Sequence, residues 1–204
     1  MSHPFATVVG MHRLPQRSPE DRVYGLDIET DTRLNGLDPT VASIVAVAVA
    51  TADGEHVFAG PEASILHRLA SAVRQLTPGT MVTWFGSGFD LPFLEERAAR
   101  LGVDIGLRLN PERNGLADPW QGHNHIDAYR VYRNDLPRLL DVSCSLKSVA
   151  GLLGCPTVIE DRARIHELGH SALVRYVASD ARLARTLALR RWTTAVPFAD
   201  QLGA

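Results

Sequence analysis

Asp27 and Glu29 stand two residues apart in VYGLDIETD, Val23 to Asp31, inside a run that otherwise reads as a buried strand. Strand side chains alternate between faces, so Tyr24, Leu26 and Ile28 share one face and Asp27 and Glu29 share the other. Two neighbouring carboxylates on one face repel each other. They must open onto solvent, hold a cation, or let one of the pair take up a proton. A third acid has an equally unusual position. In SALVRYVASDARLARTLALRRW, Leu173, Val177, Asp180, Ala184 and Leu187 recur at spacings of four and three, which sets Asp180 within the apolar stripe of a helix. A carboxylate there needs a cation or a donor. Tyr176 lies one turn earlier on the same side, so its hydroxyl and the Asp180 carboxylate point into one volume. Asp90, in WFGSGFDLPFLEERAARLG, follows a glycine-containing turn at the start of another helix, from where it can face a sheet.

The elements that must position these side chains are legible from periodicity. After the first strand, SIVAVAVATADGEHVFAG contains two short apolar runs around Asp53-Gly54, a hairpin signal, so the first three strands form an antiparallel meander. Ile65, Leu66, Leu69, Val73 and Leu76 repeat at helical spacing until Thr77-Pro78-Gly79. TMVTWF reads as a strand. Leu91, Leu94, Ala98 and Leu101 mark a helix that Gly102 ends. Gly106 to Asn124 reads as a loop or insertion, and HIDAYRVY as a further strand or strand end. LPRLLDVSCSLKSVAGLLG contains a helix ending near Gly151 or Gly154, and the last long helix runs from about Ser171 to Trp192. A hairpin followed by alternating strands and helices indicates an α/β fold, a mixed sheet with helices packed on it. Residues 1–21 and 193–204 read as tails around a domain spanning residues 22–192.

Acid pair, FD at a helix start and YxxxD on a late helix occur here in the order found in the DEDD superfamily of 3′-to-5′ exonucleases. The chain resembles the tyrosine-containing branch, on a ribonuclease H-like fold. YGLDIET, GFDLPFL and SLKSVAGLLG look most like the exonuclease domains related to family B DNA polymerases. The sibling branch carries a histidine five residues before the final aspartate, where this chain has Arg175. The resemblance implies two divalent ions, Mg²⁺ or Mn²⁺, held by Asp27, Glu29 and Asp180, with Asp90 binding the second directly or through water. Tyr176 would orient or help deprotonate the attacking water. The substrate implied is the 3′ end of single-stranded DNA or RNA. Relatives often have NGxxFD in the second motif, whereas this chain has FGSGFD, with Phe85 at the asparagine. Phe85 or Phe89 could instead stack on a base. Asp127, in HIDAY, is expected in support of the site, and Arg130, Arg133, Arg138 and arginines near the last helix are expected to contact the phosphate backbone.

Each acid alone has an ordinary explanation: Asp90 as a helix N-cap, Glu29 as a solvated strand end, Tyr176 as a half-buried aromatic. Two other functions compete with the exonuclease reading. One is a nucleic-acid-binding module of the same fold without turnover. The other is a zinc protease, because HELGH, His166 to His170, fits H-E-x-x-H with Glu167 as base. A zinc protease needs a third protein ligand. No glutamate follows Glu167, and the extended pattern of a glycine and a histidine meets Leu173 and Tyr176. His166 and His170 are therefore read as surface residues of the connection into the last helix. His123 and His125 alternate along a polar segment and are read as loop residues. Cys144 and Cys155 have neither metal nor redox spacing and are read as small buried residues.

Composition bounds the partners more than the chemistry. A chain of 204 residues with 45% hydrophobic residues suffices for one domain with a substantial core. A formal net charge of −2 provides no global basic field, so a nucleic acid must be held by local patches or by metal ions. Two cysteines suit a reducing cytosol, no apolar run approaches the ~20 residues of a membrane helix, and the start lacks the pattern of a signal peptide. A soluble cytoplasmic protein is expected.

Overall fold

A computed structural model describes residues 19–109 and 120–192. Both tails fall largely or wholly outside them, as does much of the Gly106 to Asn124 segment. After a 3₁₀ turn at Pro19–Arg22, the strands are β1 (Val23–Thr30), β2 (Ile44–Ala50), β3 (Glu55–Ala59), β4 (Thr80–Thr83) and β5 (Asn124–Asp127). Helices α1 (Glu62–Gln75) and α2 (Asp90–Leu101) flank β4. Short helices α3 (Ala128–Tyr132) and α4 (Leu136–Leu139), then α5 (Leu146–Leu152), a 3₁₀ turn (Arg162–Glu167) and α6 (His170–Arg190) follow β5. The sheet order is β3-β2-β1-β4-β5. The first three strands pair antiparallel, and β4 and β5 join parallel to β1. This is the expected mixed α/β sheet of ribonuclease H-like form, a meander first and parallel strands after.

Alternation along β1 divides the molecule into two layers. Tyr24, Leu26 and Ile28 point into a core with Ile65, Leu66 and Leu69 of α1 and Leu91, Phe93 and Leu94 of α2. The other face lies beneath α6. There Ala46, Ala48 and Ala50 of β2 meet Val177 and Ala181, while Val23, Val82 and Ile126 meet Ala184 and Ala188. Small side chains let α6 lie close to the sheet. The closest approach is at Gly25, where a Cβ would sit 1.9 Å from the carbonyl oxygen of Ala181. Since the obstacle is backbone, no rotamer change can make room.

Several local expectations are refined. The TMVTWF strand ends at Thr83, and Trp84 and Phe85 turn away from it. HIDAYRVY divides into β5 and α3, because the Asp127 carboxylate accepts from the Tyr129 amide and starts a helix. Asp90 is not an N-cap: Phe89 holds that position and Asp90 is the first helical residue. His123 and His125 are not loop residues facing a metal. Both are buried, and they serve the sheet. His123 Nδ1 accepts from the Gly79 amide while Nε2 donates to the Val73 carbonyl, and His125 Nε2 lies 2.9 Å from the Thr83 hydroxyl. Burial lowers the His125 pKa to about 4, so the ring stays neutral inside the fold.

Gly25→Ala should destabilise the protein by about 1–3 kcal/mol, the usual range for overpacking, with loss of any activity that depends on Asp180. Urea denaturation checks it. A variant as stable as the parent would show that α6 does not depend on contact at Gly25.

Candidate active site

β1 presents Asp27 and Glu29 on the face under α6, and the close approach at Gly25 brings α6 down beside them. Asp180 is the residue before Ala181, so the same contact that seats the helix delivers its carboxylate to the strand acids. One oxygen each from Asp27, Glu29 and Asp180 all lie within 4.8 Å of one another. Asp90 joins from the far side of β1. It is buried, and its Oδ1 accepts from the Ile28 amide at 3.3 Å, which fixes it between the two strand acids in sequence and close to them in space. Tyr176 is buried one turn before Asp180. All five side chains line one open cleft of about 660 Å³.

The cluster is electrostatically unbalanced. Burial first, then the charges of Glu29, Asp180 and Asp90, push the Asp27 carboxyl well above its ordinary range. Burial and the Asp180 charge push Glu29 up to about 8, and burial raises Asp90 to about 7. Asp180 is raised by burial despite a neighbouring ammonium, and burial with Glu29 and Asp180 nearby raises the Tyr176 phenol. Asp27 Oδ2 is buried and has no hydrogen-bond donor. An orphaned buried carboxylate oxygen in a group of three converging carboxylates fits the oxygen set that a hard divalent cation takes, and Asp27, Glu29 and Asp180 could hold one.

Lys147 is the site residue that sequence reading did not single out. It sits in the first turn of α5, and its Nζ pairs with Asp180 Oδ1 and lies 4.6 Å from the centre of the Tyr176 ring. The only signal was its inclusion in SLKSVAGLLG. Nothing in local spacing says that a lysine 33 residues before Asp180 reaches it. Burying the cluster brings an ammonium with it, in accord with the need of clustered carboxylates for positive charge.

Asp127 stands behind the site. Its Oδ1 accepts from the Phe85 amide at 2.8 Å, and its Oδ2 accepts from the Ser87 amide and hydroxyl at 3.2 and 2.5 Å. These bonds fix the turn that leads into Asp90. Phe85 itself has φ 65°, a left-handed conformation unusual for a bulky residue and better tolerated by asparagine. Its ring packs edge-on to Tyr129 with centroids 5.2 Å apart and lies over Gly88, where a Cβ would be 2.6 Å from the ring. Half of Phe85 is exposed to the cleft, and Phe89 lines it too while packing against Phe93.

Other expected residues lie apart. Arg130, Arg133 and Arg138 do not line the cleft, and Arg130 sits 4.0 Å from Asp127. His166 and His170 do not share a helix: extended backbone at Leu168 and Gly169 separates the 3₁₀ turn from α6. His166 Nδ1 lies 2.7 Å from the Thr32 hydroxyl, and Glu167 pairs with Arg164. The HELGH protease geometry is therefore absent, and among the described residues the acid triad alone has the proximity a metal needs. Cys155 is buried, whereas Cys144 is half-exposed on the cleft wall.

Fold and site together define a ribonuclease H-like domain with a carboxylate cleft. The RNase_H superfamily matches residues 25–163, and the chain belongs to it. That span includes Asp27, Glu29, Asp90 and Lys147; Tyr176 and Asp180 lie beyond it. Among curated proteins, a DNA polymerase of Pyrococcus glycovorans is 25% identical over 155 residues, covering 65% of this chain and 20% of the polymerase. A DNA polymerase of Thermococcus aggregans is 29% identical over 134 residues, 59% of this chain and 7% of that one. The chain thus spans about a fifth or less of the length of these two polymerases. The family B DNA polymerase of the archaeon Pyrobaculum calidifontis superposes with a TM-score of 0.70 at 25% identity, over 83% of this chain and 24% of its own. The likeness to family B polymerases read from the motifs is borne out. No described helix is long and apolar enough to cross a membrane.

An acid whose pKa is raised by folding binds more protons folded than unfolded, so stability falls as pH rises through the folded value. In EDTA the melting temperature should fall as pH rises from the ordinary carboxylate range to about 8, the interval between the unfolded and the raised folded values of Asp90 and Glu29, and level off above it. Mn²⁺ should raise it, and more at pH 8 than at pH 6.5, since bound metal must displace those protons. An Mn²⁺ effect absent at both pH values would contradict the metal assignment.

Proposed function

We propose that the chain is a metal-dependent 3′-to-5′ exonuclease that removes nucleoside 5′-monophosphates from single-stranded DNA or RNA inside the cell. The convergence of Asp27, Glu29 and Asp180 within 4.8 Å, with Tyr176 and Asp90 in the same cleft, carries this reading. The similarity to archaeal DNA polymerases supports it. Asp27, Glu29 and Asp180 would hold one divalent ion, and Asp90, with Oδ1 anchored on the Ile28 amide, would serve a second. Mg²⁺ or Mn²⁺ bound there supplies Lewis acidity toward the attacking water and the departing 3′ oxygen.

The remaining work belongs to the chain's own residues. Burial and the charges of Glu29 and Asp180 raise the Tyr176 phenol in the metal-free cleft, and its hydroxyl orients or helps deprotonate the attacking water. Lys147 restrains both partners of that arrangement, holding Asp180 by charge and the Tyr176 ring by its quadrupole. Phe85, held by Asp127 in a conformation that costs energy, offers a half-exposed ring on which a terminal base stacks, with Phe89 beside it. Such a shelf suits unpaired nucleotides, whose faces are free.

Incubation with 5′-labelled single-stranded DNA and RNA in Mg²⁺, Mn²⁺ or EDTA tests the reading. The expected product is a ladder shortening from the 3′ end, dependent on metal and abolished by Asp27→Ala or Asp180→Ala while both variants remain folded. Tyr176→Phe should slow turnover by roughly 10²-fold and leave Mn²⁺ binding near the parent value. Binding without shortening would convert the assignment to a nucleic-acid-binding module. A Tyr176→Phe variant that loses metal as Asp180→Ala does would remove the tyrosine from its assigned role.

A further inference from the structure

Four acids line the cleft, Asp27, Glu29, Asp90 and Asp180, and among the described lining residues only Lys147 and Arg162 are basic. The two cations differ in their commitments. Lys147 is held by Asp180 and the Tyr176 ring. Arg162 is exposed on the cleft and makes no hydrogen bond or ion pair with a described residue, whereas nearby arginines are paired, Arg164 with Glu167 and Arg33 with Asp31. The backbone beneath Arg162 is nonetheless fixed. Asp161 caps its 3₁₀ turn by accepting from the Ala163 amide, Ile165 is buried, and the His166 ring and amide both meet the Thr32 hydroxyl. Thr32 is three residues after Glu29, so the turn that carries Arg162 is tied to the segment leaving the acid-bearing strand.

We propose that Arg162 binds a backbone phosphate of a single nucleic-acid strand lying in the cleft. This rests on the nuclease reading of the same cleft and adds the residue that grips its substrate. A guanidinium fixed at its base and free at its tip is prepared for an anion that arrives from outside, and its planar fork suits phosphate oxygens. Charge supports the same occupant. With all four carboxyls ionised, as bound metal would require, they outnumber the two basic side chains by two charges, a balance that on its own repels a nucleic acid. Two divalent ions would reverse that sign to two positive, and Arg162 is then the cation not already engaged by the protein. Arg162 lines the same cleft as Glu29, Asp90 and Asp180, so its charge faces the volume in which the acids converge. None of the arginines expected from sequence at positions 130, 133 and 138 lines the cleft.

The test uses the full chain and a short 5′-fluorescein-labelled oligothymidylate, with anisotropy read in Ca²⁺ across a KCl series. Kinetics are measured in Mn²⁺. Arg162→Ala should weaken binding roughly ten-fold at low salt and reduce the slope of log K against log salt by about 0.7, the value for one phosphate contact on a single strand. Arg162→Lys should recover the slope. KM should rise with kcat little changed, as for a contact made equally in ground and transition states. Oligonucleotides carrying one neutral methylphosphonate should identify a linkage whose neutralisation weakens the parent but not Arg162→Ala. An unchanged salt slope in a folded, active Arg162→Ala enzyme, or equal penalties at every linkage in both proteins, overturns the phosphate contact alone. Parent protein that binds and shows these differences without releasing mononucleotide retains the contact and overturns the exonuclease reading. Parent protein that does not bind the strand overturns both.

Discussion

Helix α6 can bring Asp180 to Asp27 and Glu29 because no side chain stands between its backbone and β1 at Gly25. The short reach of an aspartate makes this contact decisive, since an ordinary helix-on-sheet separation would leave its carboxylate away from the strand acids. The alanines on both surfaces extend the same close approach, with Ala46, Ala48 and Ala50 below and Ala181 and Ala184 above. Packing density here serves placement as well as burial. The opposite face of β1, filled by Leu26, Ile28 and the residues of α1 and α2, resists any compensating movement of the strand.

That geometry concentrates like charge, and much of the surrounding structure answers it. Lys147 comes from α5 to Asp180, Arg162 approaches from the 3₁₀ turn, and the Ile28 amide donates to Asp90. Asp127 is an acid of a different kind. Three hydrogen bonds from Phe85 and Ser87 occupy its oxygens, so it organises the turn before α2 without joining the cluster. The contrast with Asp27, whose buried Oδ2 has no donor, separates an acid used to build the fold from one left available for a ligand.

Residues that repeat within one element were legible in sequence. The alternation of β1 assigned Asp27 and Glu29 to one face, the α6 stripe placed Asp180 and Tyr176 together, and the Asp53-Gly54 turn marked the hairpin. Contacts between elements were legible only through the order of the motifs. Lys147 looked like any residue of a short helix, because its pairing with Asp180 depends on how α5 and α6 pack. Phe85 was visible as a departure from the NGxxFD pattern, but its left-handed backbone follows from the bonds that Asp127 makes across the sheet. HELGH shows the converse error. A pattern defined for consecutive helical turns occurs where Leu168 and Gly169 are extended, and periodicity in letters has no spatial meaning without the helix.

The cost of assembling the acids also explains why metal binding and the docking of α6 should be coupled. Without a divalent ion, the cluster is relieved by protons on Glu29 and Asp90 near neutral pH and by the ammonium of Lys147. A bound ion would replace those protons and would join β1 to α6 through the three carboxylates that converge there, so its binding free energy would add to the contact at Gly25. Asp180 would then have two positive partners, and its hold on Lys147 would weaken. The lysine is placed so that metal arrival changes its electrostatic surroundings together with those of Tyr176, whose ring it faces. Ion binding, helix docking and the setting of the tyrosine would then follow from one arrangement of charge, the acid cluster with Lys147 against Asp180 and the Tyr176 ring.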